Sequence, residues 1–332
     1  MIVLAIESSC DETSASVSKD GRRILSNVVF SQVDLHGTFG GVVPEIASRE
    51  HIKRITAVID RALEEAAVSS RNIDLVAVTK GPGLIGSLLV GINAAKAFAY
   101  ANGIPFIGVH HLSGHIYANN IDSPLVFPLL ALIVSGGHTE LILMREHFQF
   151  EKLGQTHDDA VGEAYDKIAR VLELGYPGGP VIDRLASEGT PRYPMPVIKA
   201  GGEYDFSYSG LKSHVINLIH NERQRGREID VRDMAASFQE AAVDHLIKQS
   251  RKAFDDYNAD MFLVAGGVAA NRHLRRRVEE VFNDVDVSIP RFEYCTDNAA
   301  MMGIAGYYKY NTLGTEDALD MNGHSRLPFY NQ

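Results

Sequence analysis

The stretch VHHLSGHIYAN, residues 109–119, sets His111 and His115 four positions apart. On a helix that spacing points both imidazoles to one side, so two nitrogens can share a divalent metal. Zinc proteases built on this pattern carry a glutamate directly after the first histidine as general base. Leu112 stands there instead. The pair is therefore either a metal site without a protease's base or two polar residues at the start of a helix. His110 beside them faces elsewhere. A third ligand is available in EYCTDNAAMMGIAGYY (293–308), where Asp297 precedes a run of small residues. Aspartate at a helix start is also a common N-cap. As a ligand it would complete a two-histidine, one-carboxylate set that leaves positions open for substrate or water.

A second group of residues suits anions. In VSGGHTEL (134–141) a Ser-Gly-Gly turn between two apolar runs bares amides that can cradle an oxyanion, with His138 in reach; the same residues also make an ordinary glycine hairpin. In this reading the Ser135–Gly137 amides hold the reacting oxygens, and Gly136 and Gly137 tolerate bulk less well than Ser135 tolerates loss of its hydroxyl. GYPGGPVIDRLA (175–186) places Gly179 before Pro180 at a helix start, with Asp183 one turn in. AYDKIARVL (164–172) sets Asp166 among apolar neighbours, and AGGVAANRHL (265–274) opens a helix at Asn271, where backbone can approach a nucleotide.

The elements that carry these residues alternate. Strand-like runs at 2–8 and 14–18 flank the turn SCDET, and 128–144 repeats the same strand–turn–strand plan, which points to a duplicated α/β domain with a boundary near 120–127. Helical spacing over 44–66 marks Ile46, Ile52, Ile55, Ile59 and Leu63 as the inward stripe. Runs at 73–83 and 104–110 read as strands around an apolar helix at 84–103. Later helices fall near 158–174, 233–256, 272–283 and 297–311, and 261–267 reads as a strand.

With 332 residues, 45% hydrophobic, 22% charged and 29 glycines, the composition is that of a two-domain globular α/β chain. No apolar run reaches the ~18–20 residues of a membrane span, and MIVLAIESSC lacks the basic start of a signal peptide. The two cysteines, Cys10 and Cys295, suit a reducing compartment, so the expected location is cytoplasmic. A net charge of −10 disfavours nucleic acid as a general partner. The local exceptions are Arg22–Arg23 and the helix carrying Arg272, Arg275, Arg276 and Arg277, of which one or two contact phosphate or else pair with Glu279 and Glu280.

Ten segments together resemble one family along nearly the whole chain: IESSCDET, GGVVPEIASREH, TKGPGLIGSLLVG, HHLSGH, LIVSGGHTEL, DDAVGEAYDK, YPGGPVID, FSYSGLKS, AGGVAANRHLR and TDNAAM. The family is TsaD, the tRNA N6-adenosine threonylcarbamoyltransferases, formerly described as glycoproteases. The resemblance implies an actin-like α/β fold of two ribonuclease-H-like domains. These would be 1–122, completed by a C-terminal helix within 297–332, and 123–296 with a helical insertion. It implies His111, His115 and Asp297 as ligands of one metal, iron in the usual assignment and zinc as the alternative. Val134, Ser135, Gly136, Gly137 and His138 match the substrate loop, and Asp166, Gly179, Asp183 and Asn271 match contacts to an adenine nucleotide or adenylate.

The implied reaction moves a threonylcarbamoyl group from threonylcarbamoyl-adenylate to N6 of the adenosine at position 37, beside the anticodon, in tRNAs reading codons that begin with A. Its partners are tRNA and the proteins TsaB and TsaE. His138 or Glu12 would relay the proton. The competing readings are a metalloprotease, from the histidine pair, and a nucleotide-binding kinase-like protein, from the loops.

Overall fold

The computed structural model describes residues 1–329. It divides into two compact units, Met1–Leu125 with Arg145–Phe150 and Pro290 onward, and Val126–Met144 with Glu151–Ile289. Residues 123–125, 145–150 and 290–296 thus group with the first unit, whereas the sequence pattern places them in the second.

In the first unit, β1 (Ile2–Glu7), β2 (Glu12–Lys19) and β3 (Arg23–Ser31) form an antiparallel meander. The sequence pattern predicts only the first two of these strands. The short α1 (Val33–Gly37) and the long α2 (Pro44–Glu65) follow. Then β4 (Leu75–Gly81), α3 (Ile85–Asn102), β5 (Phe106–His110) and α4 (His111–Ala118) add parallel strands, giving the order β3-β2-β1-β4-β5. The LVAVT run of β4 is buried throughout, as a central parallel strand covered on both faces must be.

The second unit repeats the plan. β6 (Leu129–Val134), β7 (Thr139–Met144) and β8 (Phe150–Gln155) come first. They are followed by α5 (Val161–Val171), α6 (Gly178–Ala186), α7 (Ser209–Gln224) and α8 (Val231–Tyr257). After these, β9 (Met261–Ala265), α9 (Arg272–Val281) and β10 (Asp286–Ser288) complete the sheet β10-β9-β6-β7-β8. Its central strand β6 pairs antiparallel with β7 and parallel with β9, as β1 does with β2 and β4. The chain then returns to the first unit through α10 (Phe292–Cys295) and α11 (Ala299–Leu313). The expected terminal helix is therefore 299–313. Residues 314–329 are not helical, and 330–332 of that expectation lie outside the described residues.

Glycine and serine set the helix-to-sheet spacing in the first unit. A Cβ on Gly306 of α11 would stand 2.5 Å from the Ala77 Cβ, and one on Gly91 of α3 2.3 Å from Ser8 Oγ. The serines of SASVS are buried because small residues let α11 lie close; Ser14 Oγ accepts from the Ala299 amide at 2.9 Å. On α2 the inward stripe is Ala47, His51, Ile55, Val58, Ile59 and Ala62. Ile52, read as part of that stripe, is 66% exposed. His51 takes the inward position because its ring nitrogens are satisfied there, Nδ1 by Thr13 Oγ1 at 2.7 Å and Nε2 by the Cys10 carbonyl at 2.9 Å.

Gly306→Val forces a branched side chain against a strand that cannot move aside, and should cost about 1–3 kcal/mol. Urea unfolding checks this: the midpoint should fall for Gly306→Val and hold or rise for Gly210→Ala, whose added methyl meets nothing within 4 Å. An unchanged midpoint for Gly306→Val would refute the close-packing account.

Candidate functional site

The first unit gathers one cluster at the carboxyl ends of its parallel strands. β5 runs directly into α4, so His111 is the first helical residue and His115 follows one turn on. His115 Nε2 lies 3.2 Å from His111 Nε2 and 3.2 Å from Asp297 Oδ1, and His111 Nε2 lies 3.4 Å from the same oxygen. Ligand bonds of 2.0–2.1 Å to a tetrahedral metal place neighbouring donor atoms about 3.3–3.4 Å apart. The three atoms therefore match one face of a coordination polyhedron. They form a possible metal-binding group, all within 4.8 Å of one another.

Asp297 is free for this role because it is not the helix cap. Asn298 caps α11, its side chain accepting from the Met301 amide at 3.1 Å. His110 caps α4 in the same way, accepting from the Leu112 amide at 3.1 Å.

Behind the ligands stands a layer the sequence reading missed. Glu7, at the end of β1 and wholly buried, approaches His111 Nδ1 at 3.2 Å. Ser9 Oγ also reaches that nitrogen at 3.2 Å. The Glu7 carboxylate is fixed in turn by the Ser9 amide and the Thr79 hydroxyl, both at 2.5 Å. A carboxylate on the far nitrogen of a ligating histidine orients the ring and raises its basicity. The signal in the sequence was a lone charge closing an apolar strand.

Electrostatics agree with a cation. Burial opposes charge on His111, yet Asp297 and Glu7 outweigh it and raise its pKa well above the usual range. Burial likewise opposes ionisation of Asp297 and Glu7, and His111 more than compensates in both, lowering their pKa values. His115 Nδ1 has no partner among the described residues, so this ring's polar contacts run through Nε2. Glu12 sits on β2, accepts from Ser31 Oγ at 3.0 Å, and has its pKa raised by burial and then by the Asp297 and Asp11 charges.

The second unit carries the other predicted residues, each held by its own hydrogen bonds. At the β6–β7 turn the Ser135 amide donates to the His138 carbonyl at 2.8 Å, and Ser135 Oγ accepts from the Gly137 and His138 amides at 3.3 and 3.0 Å. Two of the three amides expected to meet a ligand are thus spent inside the turn. Gly136 N–H is the one without a partner among the described residues. Neither Gly136 nor Gly137 needs a left-handed backbone, and a Cβ on either meets nothing within 4 Å. The glycine the turn itself demands is Gly162, whose Cβ would lie 2.6 Å from the Ser135 carbonyl. The Val134 carbonyl packs against Gly266, which has φ +94° and no room for a Cβ.

From this turn α5 carries Asp166 to α6, where it accepts from the Gly178 amide at 2.7 Å, with the Gly179 amide alongside. Burial nonetheless raises the Asp166 pKa. Asp183 accepts from the Arg272 amide at 3.4 Å. Asn271 is committed at both ends of its amide, capping α9 through Leu274 N at 2.8 Å and donating to Gln239 Oε1 at 2.8 Å. Of the four arginines of α9, Arg275 binds the Ala269 carbonyl at 2.8 Å, Arg276 faces Glu280 at 3.8 Å, and Arg277 pairs with Asp244 and Glu280. Arg272 is exposed and its side chain has no acidic partner among the described residues, so of the four it is the one left to contact phosphate, where one or two were expected.

Glu7→Gln should weaken divalent metal binding about 10–100-fold, the usual cost of losing an outer carboxylate. The double variant His111→Ala, His115→Ala should lose stoichiometric metal altogether. Elemental analysis and metal titration of the folded chains decide; one metal per chain in the double variant would refute the assignment.

No helix among the described residues is long and apolar enough to cross a membrane. Among solved structures, HypF of T. kodakarensis matches with a TM-score of 0.65 at 13% identity, over 94% of this chain and 48% of that one. The (R)-2-hydroxyglutaryl-CoA dehydratase component A of Acidaminococcus fermentans matches with a TM-score of 0.55 at 15% identity, over 94% and 99%. These likenesses carry the fold, which is the actin-like ATPase fold. The family model described as TsaD, tRNA N6-adenosine threonylcarbamoyltransferase, matches residues 23–304. Curated relatives of that description include one from Geobacillus kaustophilus, 56% identical over 98% of this chain and 96% of its own. Another, from Staphylococcus carnosus, is 54% identical with the same coverage. A family match across most of the chain and identity above half over nearly its full length, beside a His111, His115 and Asp297 group that could hold a metal, lead to one conclusion: this chain belongs to the TsaD family of tRNA N6-adenosine threonylcarbamoyltransferases.

Proposed function

We propose that the chain transfers the threonylcarbamoyl group of threonylcarbamoyl-adenylate to N6 of adenosine 37 in tRNAs reading codons that begin with A. The observation that carries this is the full-length match to tRNA N6-adenosine threonylcarbamoyltransferases at 54–56% identity. The protease reading lacks its base: Leu112, which fills that position, is 2% exposed and faces the core. The kinase-like reading accounts for the fold but not for a site of two imidazoles and one carboxylate, since magnesium in kinases takes oxygen ligands.

In the reaction the N6 lone pair attacks the carbamoyl carbon, the bond from that carbon to the phosphate oxygen breaks, AMP departs, and N6 gives up a proton. N6 is a weak nucleophile because its lone pair is delocalised into the ring. Positioning and stabilisation of developing charge therefore supply most of the rate. His111, His115 and Asp297 would hold a divalent metal, Fe²⁺ first and Zn²⁺ second, and its contribution when bound is Lewis-acid polarisation of the adenylate. The Gly136 N–H is assigned to an oxyanion of the substrate. Asp166, Gly179, Asp183 and Asn271 line the adenylate side, with Asn271 and Asp166 acting through the helix starts they fix. His138 or Glu12 relays the N6 proton. The acceptor base is presented unstacked, which an anticodon loop permits. With −10 net charge, the chain draws tRNA affinity from TsaB and TsaE as partners and from Arg272.

The direct test supplies the purified chain with threonylcarbamoyl-adenylate and tRNA, with and without TsaB and TsaE, and reads the nucleosides by mass spectrometry. N6-threonylcarbamoyladenosine at position 37 is the expected product; its absence in the complete mixture would refute the proposal. The turn geometry adds a second expectation. Ser135→Ala removes the acceptor of two amides, worth about 0.5–1.5 kcal/mol each, and should lower kcat/KM about tenfold. Gly162→Ala should do the same by pushing the turn. Wild-type kinetics for Ser135→Ala would show that its hydroxyl does not hold the loop.

A further inference from the structure

Residues 314–329, beyond the span matched by the family model, run as a strap along the first unit. β5 is an edge strand, and the strap seals it. The Asp317 amide donates to the Phe106 carbonyl at 3.0 Å, and the Asp317 carboxylate accepts from the Gly108 amide at 2.7 Å. Lys309 of α11 donates to the Gly108 carbonyl at 2.8 Å, and burial, with Lys80 nearby, pushes its pKa down to about 8. The strap then crosses the carboxyl ends of β4 and β5. The His324 amide donates to the Lys80 carbonyl at 2.8 Å, and a Cβ on Gly81 (φ +146°) would strike the His324 carbonyl at 2.3 Å.

Two short paths lead from here to His111. Along the first, His110 Nε2 meets the Leu327 carbonyl at 3.0 Å while the Phe329 ring packs on the imidazole, centroids 4.8 Å apart. The other nitrogen of His110 is the cap of α4, the helix that begins with His111. One ring thus needs Nδ1 as acceptor and Nε2–H as donor, and the strap supplies the acceptor that fixes this tautomer. Along the second path, the Gly83 amide donates to the Ser325 carbonyl at 3.4 Å and the neighbouring Leu84 amide to the Ser9 carbonyl at 2.7 Å. Ser9 Oγ is within hydrogen-bond distance of His111 Nδ1.

We infer that the strap segment 324–329 is a positioning element for the metal ligands, acting through His110 on the helix start and through Gly83–Ser9 on the His111 ring. This rests on the reading of His111, His115 and Asp297 as a metal site. Its consequence is reciprocal: if the strap sets ligand geometry, metal binding must tighten the strap by the same coupling.

The test uses the full-length, metal-free chain and Co²⁺ as probe. In the wild type, saturating Co²⁺ should slow deuterium uptake in peptides covering 322–329. Phe329→Ala should weaken Co²⁺ binding about tenfold and alter its visible absorption, while Phe329→Leu, which keeps an apolar contact, should stay near the wild-type values. A wild type that binds no Co²⁺ refutes the metal reading itself. Binding with unchanged uptake overturns the strap's role alone, a result that does not depend on any variant folding. A folded Phe329→Ala chain with wild-type affinity and spectrum also overturns it.

Discussion

A carboxylate buried at the end of the central strand organises the first unit. Glu7 has no exposed surface, and a buried charge stripped of its partner costs about 3–5 kcal/mol. Each contact that prevents this also builds the site. The Ser9 amide turns the chain away from β1, the Thr79 hydroxyl ties β4 alongside, and His111 brings the start of α4. The parallel strands β1, β4 and β5 all end at this edge, so their loops converge there, as expected of sites at the carboxyl ends of strands. Asp297 adds a second negative group from the approach to α11, and the excess of carboxylate over fixed positive charge is what a divalent ion would relieve.

The same sheet order ends differently in the second unit. No carboxylate closes β6; Val134 ends it, and Ser135 folds the chain back on its own hydroxyl. The surrounding loops then meet helix beginnings. Asp166 of α5 accepts from the Gly178 amide at the start of α6, Asn271 caps α9, and Asp183 reaches the Arg272 amide. These side chains satisfy amides at the helix starts, where the backbone carries partial positive charge. The repeated sheet thus closes in two ways, on a carboxylate–histidine cluster in the first unit and on a serine turn beside side-chain-capped helix starts in the second.

Small residues are the means by which both arrangements are kept close. Gly303 and Gly306 let α11 rest on the sheet, where a Cβ would stand 2.9 Å from Ser18 Oγ and 2.5 Å from Ala77 Cβ. Because α11 begins two residues after Asp297, the depth of that packing also sets where the Asp297 carboxylate meets the two histidines. Gly162 and Gly178 do the equivalent in the second unit, holding α5 against the Ser135 turn and α6 against α5.

Much was legible without coordinates because it depends on local geometry. The His111/His115 spacing states that two rings share a helix face, the repeated strand–turn–strand pattern states a duplicated α/β fold, and the ten matching segments name the family. Other assignments are competitions between nearby groups, and only packing decides them. Asp297 and Asn298 are both natural caps; the structure gives the cap to Asn298 and so releases Asp297. The Ser135 hydroxyl takes the Gly137 amide, which was expected to face a ligand, together with that of His138. Arg275 turns back to the Ala269 carbonyl instead of facing RNA, and Ile52 is exposed because His51 finds partners on the inward side of α2. Glu7 and Phe329 show the limit most clearly. They lie 104 and 218 positions from His111, a separation over which periodicity carries no information, and only the folded sheet edge brings them to the same helix start.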